Sequence, residues 1–277
     1  MKKLRVLFVG NSHTYFNDMP MVFKQLAEAG QDVEVEVTMQ AHPGVTYEWH
    51  LTQGAELRFA LVQGEYDYVF FQQAAHSPCP SPEETLRDGA ELIRLAKLCG
   101  VKPVVTIPWA EKRFPEHQAQ MYATFQKLAK DNDADASPVG YVFERVLAER
   151  PDIDMYWYDG EHCSPYGTYV NAACAYAKIF GVSPEGLPAR SIKHNRGTAE
   201  DMARINGLMD ELRELTDGFS TEKMSDPANA EKLSEVMALN KTSFPEIWDK
   251  KELTVELDPE KCATLQKWVW EAVQAQK

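Results

Sequence analysis

Val6-Leu7-Phe8-Val9-Gly10-Asn11-Ser12 is a β-rich apolar run that ends abruptly in three small residues, the composition of a strand followed by a tight turn. An amphipathic stretch follows from about Met19, with apolar residues at Met19, Val22, Phe23, Leu26 and Ala27 before Gly30. A strand, a turn and a helix in that order predict an α/β protein. In such folds ligands bind beyond the carboxyl ends of parallel strands, so Ser12 falls where chemistry usually occurs. The same three residues also serve ordinary turn or helix-cap chemistry, and the stretch by itself does not separate the two roles.

Further strands and helices alternate outward from this start. Val33-Glu34-Val35-Glu36-Val37 alternates strictly, as an edge strand with one wet face does. Tyr66 to Phe71 is nearly continuous in apolar residues, as a central parallel strand would be, and runs into Gln72 and Gln73. Lys102 to Trp109 predicts a fourth strand and Met155 to Tyr158 a last short one. Helices are expected after Ser81-Pro82, after Pro115, over 141–148 and over 168–180. The result is a three-layer α/β/α sandwich on a mainly parallel sheet with right-handed crossovers.

Composition excludes several classes of function. The 277 residues are 44% hydrophobic and 26% charged, with a formal net charge of −13, and no Lys/Arg cluster suits a nucleic-acid or anionic-membrane surface. No run approaches the roughly 18 apolar residues of a membrane span. The five cysteines are widely spaced without a C-x-x-C pair, which points to reduced thiols and a soluble cytoplasmic protein. No metal is expected: His42, His50 and His76 fall near the predicted mouth, but no pair has a spacing such as H-E-x-x-H.

Asp159-Gly160-Glu161-His162-Cys163-Ser164-Pro165-Tyr166-Gly167 follows the last predicted strand. A carboxylate and an imidazole three residues apart can share one side of a turn, and a carboxylate can then orient the imidazole to take a proton from a serine. Gly44, in the loop after the second strand, could expose a backbone N–H at the same sheet end or be a plain turn glycine. Gln72 and Gln73 must find partners or face a polar cleft.

Gly10-Asn11-Ser12, the loop glycine, the polar end of the third strand and the Asp159–Gly167 segment together resemble the SGNH (GDSL-type) hydrolases, in particular their D-G-x-H-P-S-x-x-G signature. The resemblance covers about residues 1–190 and the final helix. It implies a flavodoxin-like SGNH fold and a serine esterase without cofactor, with Ser12 as nucleophile, His162 as general base and acid, and Asp159 as its orienting partner. The oxyanion hole would be formed by the N–H groups of Ser12 and Gly44 and the side-chain amide of Gln72, or less readily Gln73. Two departures stand out: G-N-S replaces G-D-S, and no asparagine follows Phe71.

The expected substrate is a small or carbohydrate-linked O-acyl ester, acetyl foremost, with Asn11, His13, Gln73 and Trp109 as candidate contacts. The alternative is a catalytically silent carbohydrate-binding or regulatory protein of the same fold. Neither nucleic acid nor membrane is an expected partner. Residues 1–190 form the expected core, 191–257 a helical insertion or cap, and 258–277 a helix returning to the core, opened by Asp258-Pro259-Glu260.

Overall fold

The computed structural model describes residues 2–75, 80–157, 159–194, 199–216, 223, 225–231, 233–234 and 253–276. It divides into two units, one comprising 1–192 with 255–277 and the other 193–254.

The first unit is built on a five-stranded parallel sheet of order β2-β1-β3-β4-β5, with β1 Lys2–Gly10, β2 Val33–Ala41, β3 Tyr68–Phe71, β4 Lys102–Thr106 and β5 Asp135–Ser137. Strand β1 lies between β2 and β3, so both faces of its second half are buried, which is why its sequence is continuously apolar rather than alternating. Its side chains still divide by period two. Val6 and Phe8 enter one buried cluster, while Leu7 and Val9 enter the other.

Helices cover both clusters. On the Phe8 side lie α2 Met19–Gly30, α7 Val139–Glu149, α8 Pro165–Phe180 and α10 Pro259–Gln274, through Phe23, Phe143, Tyr169 and Val269. On the Leu7 side lie α3 Tyr47–Thr52, α4 Ala55–Gln63, α5 Pro82–Leu98 and α6 His117–Asp131, through Tyr47, Leu57, Leu92 and Leu128. Two cores separated by one sheet make the three-layer sandwich. Each fully buried Leu or Phe side chain contributes about 1.5–3 kcal/mol.

Local signals set the helix starts. Ser81 and Glu84 form a reciprocal capping box at α5. Ser164 caps α8, accepting from the Gly167 N–H, with Pro165 at the first position. Asp258 accepts from the N–H groups of Glu260 and Lys261 at α10.

One expected strand is replaced by a different one. Of the expected strand Met155 to Tyr158, the described residues 155–157 do not join the sheet; Tyr156 makes only an isolated antiparallel bridge to Cys163, and Trp157 N–H donates to His162 O at 2.7 Å. The segment is thus the first arm of a small hairpin. The fifth sheet position is filled by Asp-Ala-Ser, whose pairing with β4 makes it a strand. Helices α3 and α4 had no expected counterpart.

The second unit is described over α9 Ala199–Leu215 and the turn Pro227–Asn229, capped by Asp226, with Leu233 buried against Leu215. Its limits, 193 and 254, are slightly narrower than the expected 191–257. It is also not wholly helical, since β6 Ser191–His194 and β7 Leu253–Glu256 pair where the chain leaves and re-enters. Much of the expected insertion, including residues 217–222 and 235–252, lies outside the described residues. Among the described residues no helix is long and apolar enough to cross a membrane.

Gly10 closes β1 for a steric reason. A Cβ there would come within 2.3 Å of Thr14 Oγ1, 2.7 Å of Gln72 Cβ and 2.9 Å of the Gln72 carbonyl oxygen. Gly10→Ala is therefore expected to destabilise the protein by about 1–3 kcal/mol, the usual penalty for overpacking a closed site. Chemical denaturation measures it, and an unchanged midpoint would remove this explanation of the glycine.

Candidate active site

Ser12 lies one residue beyond β1, at the start of a single helical turn, α1 Ser12–Tyr15. The turn is pinned from several sides. Gly10 O accepts from the His42 N–H at 3.3 Å and from His50 Nε2 at 2.9 Å. Burial pushes the His50 imidazole below its usual range despite that bond, which suits a neutral ring donating to a carbonyl.

Asn11 is fully buried and uses both ends of its amide. Its Oδ1 accepts from His13 N–H at 3.1 Å, and its Nδ2 donates to Val45 O at 3.1 Å. An aspartate could accept the first bond but could not donate the second, which accounts physically for G-N-S here. Asn11→Asp would set a carboxylate against the Val45 carbonyl. It is expected to cost about 1–3 kcal/mol, the penalty of a mispaired buried polar group, and a thermal melt at neutral pH that leaves Tm unchanged would contradict this.

The second contributor is the hairpin tip between Trp157 and Ser164. Gly160 takes φ +72, the left-handed conformation glycine favours, and its carbonyl accepts from the Lys112 N–H at 2.8 Å. Asp159 Oδ1 accepts from the N–H groups of Glu161 and His162, both at 2.9 Å, while Oδ2 lies 2.6 Å from His162 Nδ1. Burial pushes the Asp159 carboxyl up, but the His162 bond and charge and the two backbone donors outweigh it, leaving the group below its ordinary value of 3.8. A carboxylate at Asp159 fixes the proton of His162 on Nδ1. His162 Nε2 then faces Ser12 Oγ at 2.7 Å as a hydrogen-bond acceptor.

The imidazole is also held by its ring. Phe16 stacks on it with centroids 3.9 Å apart. Asn17, at φ +52, donates to Cys163 O and Thr168 Oγ1, both at 2.9 Å, linking the Ser12 segment to the His162 segment. Phe16 and Asn17 are site-shaping residues that sequence reasoning passed over. Only their closeness to Ser12 could have flagged them, because the segment they contact is 146 to 151 residues away.

The remaining predicted contacts take other places. Trp109 is 1% exposed, stacks on Phe143 and donates through Nε1 to Glu161 O at 2.7 Å, so it supports the hairpin from behind instead of offering a face to substrate. Gln73 stitches loops together: its Oε1 accepts from the N–H groups of Tyr47 and Ala74. Gln72 is buried, and its Nε2 donates to Gln73 O at 3.1 Å. Gly44 is exposed at φ +67 with open space around it, in the loop that Asn11 ties down through Val45. His13 is buried, its ring 5.0 Å from that of Trp109. His42 pairs with Glu56, and His76 lies outside the described residues.

The thiols of Cys163 and Cys174 are pushed up by burial, and that of Cys262 to about 12, so none of the three is a ready nucleophile.

A serine, a histidine and a carboxylate at the carboxyl edge of a parallel sheet define a class of hydrolase, and comparison with known proteins gives the same class. No family model matches the sequence, and no curated protein matches it. Among solved structures, a protein from Slackia heliotrinireducens described as a candidate SGNH hydrolase is similar with 27% identity and a TM-score of 0.56, covering 64% of this chain and all of the other. A catalytic mutant of an acetylxylan esterase from Geobacillus stearothermophilus shares 13% identity with a TM-score of 0.54, covering 65% of this chain and 96% of the other. The lipase/acylhydrolase from Enterococcus faecalis shares 17% with a TM-score of 0.51, at the same coverage. The last two speak to the fold.

In its fold the chain is similar to the SGNH (GDSL-type) hydrolase superfamily.

Proposed function

We propose that this protein is a serine-dependent ester hydrolase acting through an acyl-enzyme, with a small or carbohydrate-linked O-acyl ester, acetyl foremost, as substrate. The observation that carries the reading is the unbroken hydrogen-bonded chain from Asp159 Oδ2 to His162 Nδ1, 2.6 Å, and from His162 Nε2 to Ser12 Oγ, 2.7 Å.

In this reading Ser12 Oγ attacks the ester carbonyl while its proton passes to His162 Nε2. Asp159 stabilises the resulting imidazolium without taking the proton. The tetrahedral intermediate collapses as His162 protonates the departing alkoxide, leaving an acyl group on Ser12 and releasing an alcohol. Water, deprotonated by the same imidazole, then attacks the acyl carbon, and a carboxylic acid and free Ser12 are regenerated.

The oxyanion is assigned to the N–H groups of Ser12 and Gly44, each such donor contributing about 3–4 kcal/mol in a dry site. The parallel register supports this, since Gly10 pairs with Ala41 and the two loops leave the sheet side by side. Gln72 is the third arm in this proposal, and to serve it must turn its amide away from Gln73 O. The Glu161 carboxylate, 3.9 Å from His162 Nε2, favours neutral esters over anionic ones. The acetylxylan esterase among the structural neighbours makes an acetylated saccharide the first substrate to try.

A panel of activated acetyl, butyryl and longer esters, together with acetylated xylan fragments, tests the reading. The expected result is acetate release with a burst of alcohol equal to one acyl group per Ser12. Saccharide binding without turnover across the whole panel would overturn it in favour of a silent binding protein.

A further inference from the structure

Glu161 and His13 are not needed for the Ser12–His162–Asp159 relay, yet both converge on it. His13 Nε2 lies 3.5 Å from Glu161 Oε1, and His162 Nε2 lies 3.9 Å from the same oxygen. One ligand atom from each of these three residues falls within 4.8 Å of the others. Zinc takes nitrogen and oxygen donors at about 2.0–2.2 Å, so two donors on a tetrahedral ion sit about 3.4 Å apart. The two separations from Glu161 are close to that edge length. Small shifts of the Glu161 side chain, which is 22% exposed, together with a closer approach of the two imidazoles, would close the set.

The surroundings have the features of a prearranged ligand set. His162 gives Nδ1 to Asp159, the carboxylate–histidine pairing that fixes the tautomer and raises the donor strength of Nε2 in metal sites. The His13 ring packs against Trp109 and stands at 75° to the His162 ring, with centroids 5.1 Å apart. Glu161 is fixed at both backbone ends, its N–H donating to Asp159 Oδ1 and its carbonyl accepting from Trp109 Nε1.

We propose that His13, Glu161 and His162 form an inhibitory site for a divalent transition-metal ion, zinc above all, which competes with Ser12 for His162 Nε2. Two imidazoles and one carboxylate leave the fourth position to water. The ion takes the lone pair that would receive the Ser12 proton, so metal-bound protein cannot activate its nucleophile. Magnesium and calcium, which prefer sets of oxygen ligands, do not compete for this site. The inhibitory consequence rests on the proposed serine mechanism, whereas the binding itself does not.

The test uses full-length protein stripped with chelator. Zinc chloride is titrated in by calorimetry, and acetyl-ester hydrolysis and fluorophosphonate labelling of Ser12 are followed in parallel. One equivalent of zinc is expected to bind, with labelling and hydrolysis falling together along the binding curve, and both recovering with EDTA. Ser12→Ala retains zinc binding, because the hydroxyl is not a ligand. His13→Gln and Glu161→Gln each weaken binding by at least about tenfold; Glu161 is partly exposed, so its variant serves even if the buried His13 change disturbs folding. Unchanged zinc affinity in Glu161→Gln, or no binding below millimolar zinc, overturns the site. Should the protein hydrolyse no ester at all, calorimetry on the same variants still decides whether the site exists.

Discussion

Replacing Ser12 by alanine is expected to lower kcat/KM for an acetyl ester by about 10⁴- to 10⁶-fold, the range seen when a serine nucleophile is removed and only binding and oxyanion stabilisation remain. It should also abolish labelling by a fluorophosphonate, which reacts only with an activated hydroxyl. Both effects follow, in the proposed mechanism, from the 2.7 Å bond to His162 Nε2, the acceptor that would take the proton of Ser12. The fold should tolerate the change. Losing one hydroxyl hydrogen bond costs about 0.5–1.5 kcal/mol, and β1 and α1 are held by Gly10, Asn11 and the two buried clusters. Undiminished labelling of a folded Ser12→Ala protein would remove Ser12 from the mechanism.

Asp159→Asn should cost about 10⁴-fold in kcat/KM, through the tautomer of His162. Asparagine can keep an oxygen toward the Glu161 and His162 N–H groups, which Asp159 Oδ1 now serves at 2.9 Å. That leaves its NH₂ facing His162 Nδ1, where a carboxylate oxygen stood at 2.6 Å. A donor there drives the ring proton to Nε2, and Nε2 can then no longer accept from Ser12. Because the wild-type carboxyl lies below its ordinary 3.8, Asp159 is ionised throughout any neutral or mildly acidic assay. Stability owed to that depressed carboxyl is present above 3.8 and is lost only as the pH falls through the lower folded value. Activity of Asp159→Asn within tenfold of wild type at pH 7 would reject this account. Asp159→Ala is the harsher change, since it also strips the two backbone donors of their acceptor.

Much of the fold was legible because its signals are local. Val6 to Val9, Tyr68 to Phe71 and the alternating Val33 to Val37 carry their burial in their own composition, and Ser81, Ser164 and Asp258 announce helices through short-range caps. The fifth strand was not legible. Asp135-Ala136-Ser137 has no β-branched or aromatic residue and is a strand only because β4 offers it an edge. The converse error arose at Met155 to Trp157, where aromatic, strand-like residues pair with Cys163 instead of the sheet because Gly160 reverses the chain.

The candidate site divides in the same way. Ser12, Asp159 and His162 could be named from sequence because each stands in a compact motif just past a predicted element. Gln72, Gln73, Asn11 and Trp109 could be named as polar or aromatic residues near strand ends, and Gly44 as a loop glycine. Which of them faces outward depends on partners far away in the chain: Val45 for Asn11, Glu161 and Phe143 for Trp109, and Tyr47 for Gln73.

By itself, the sequence determined the α/β class, the parallel order of its opening elements and the three residue types of the candidate Ser–His–Asp chain, since these rest on periodicity, turn chemistry and short motifs. Only the tertiary structure decided that His162 meets Ser12 across 150 residues, that Asn11 must be an amide, and that His13 and Glu161 stand beside the imidazole. The physical reason is range. Propensity acts over a few residues, whereas hydrogen bonds between loops exist only after the sheet has brought the carboxyl ends of its strands together.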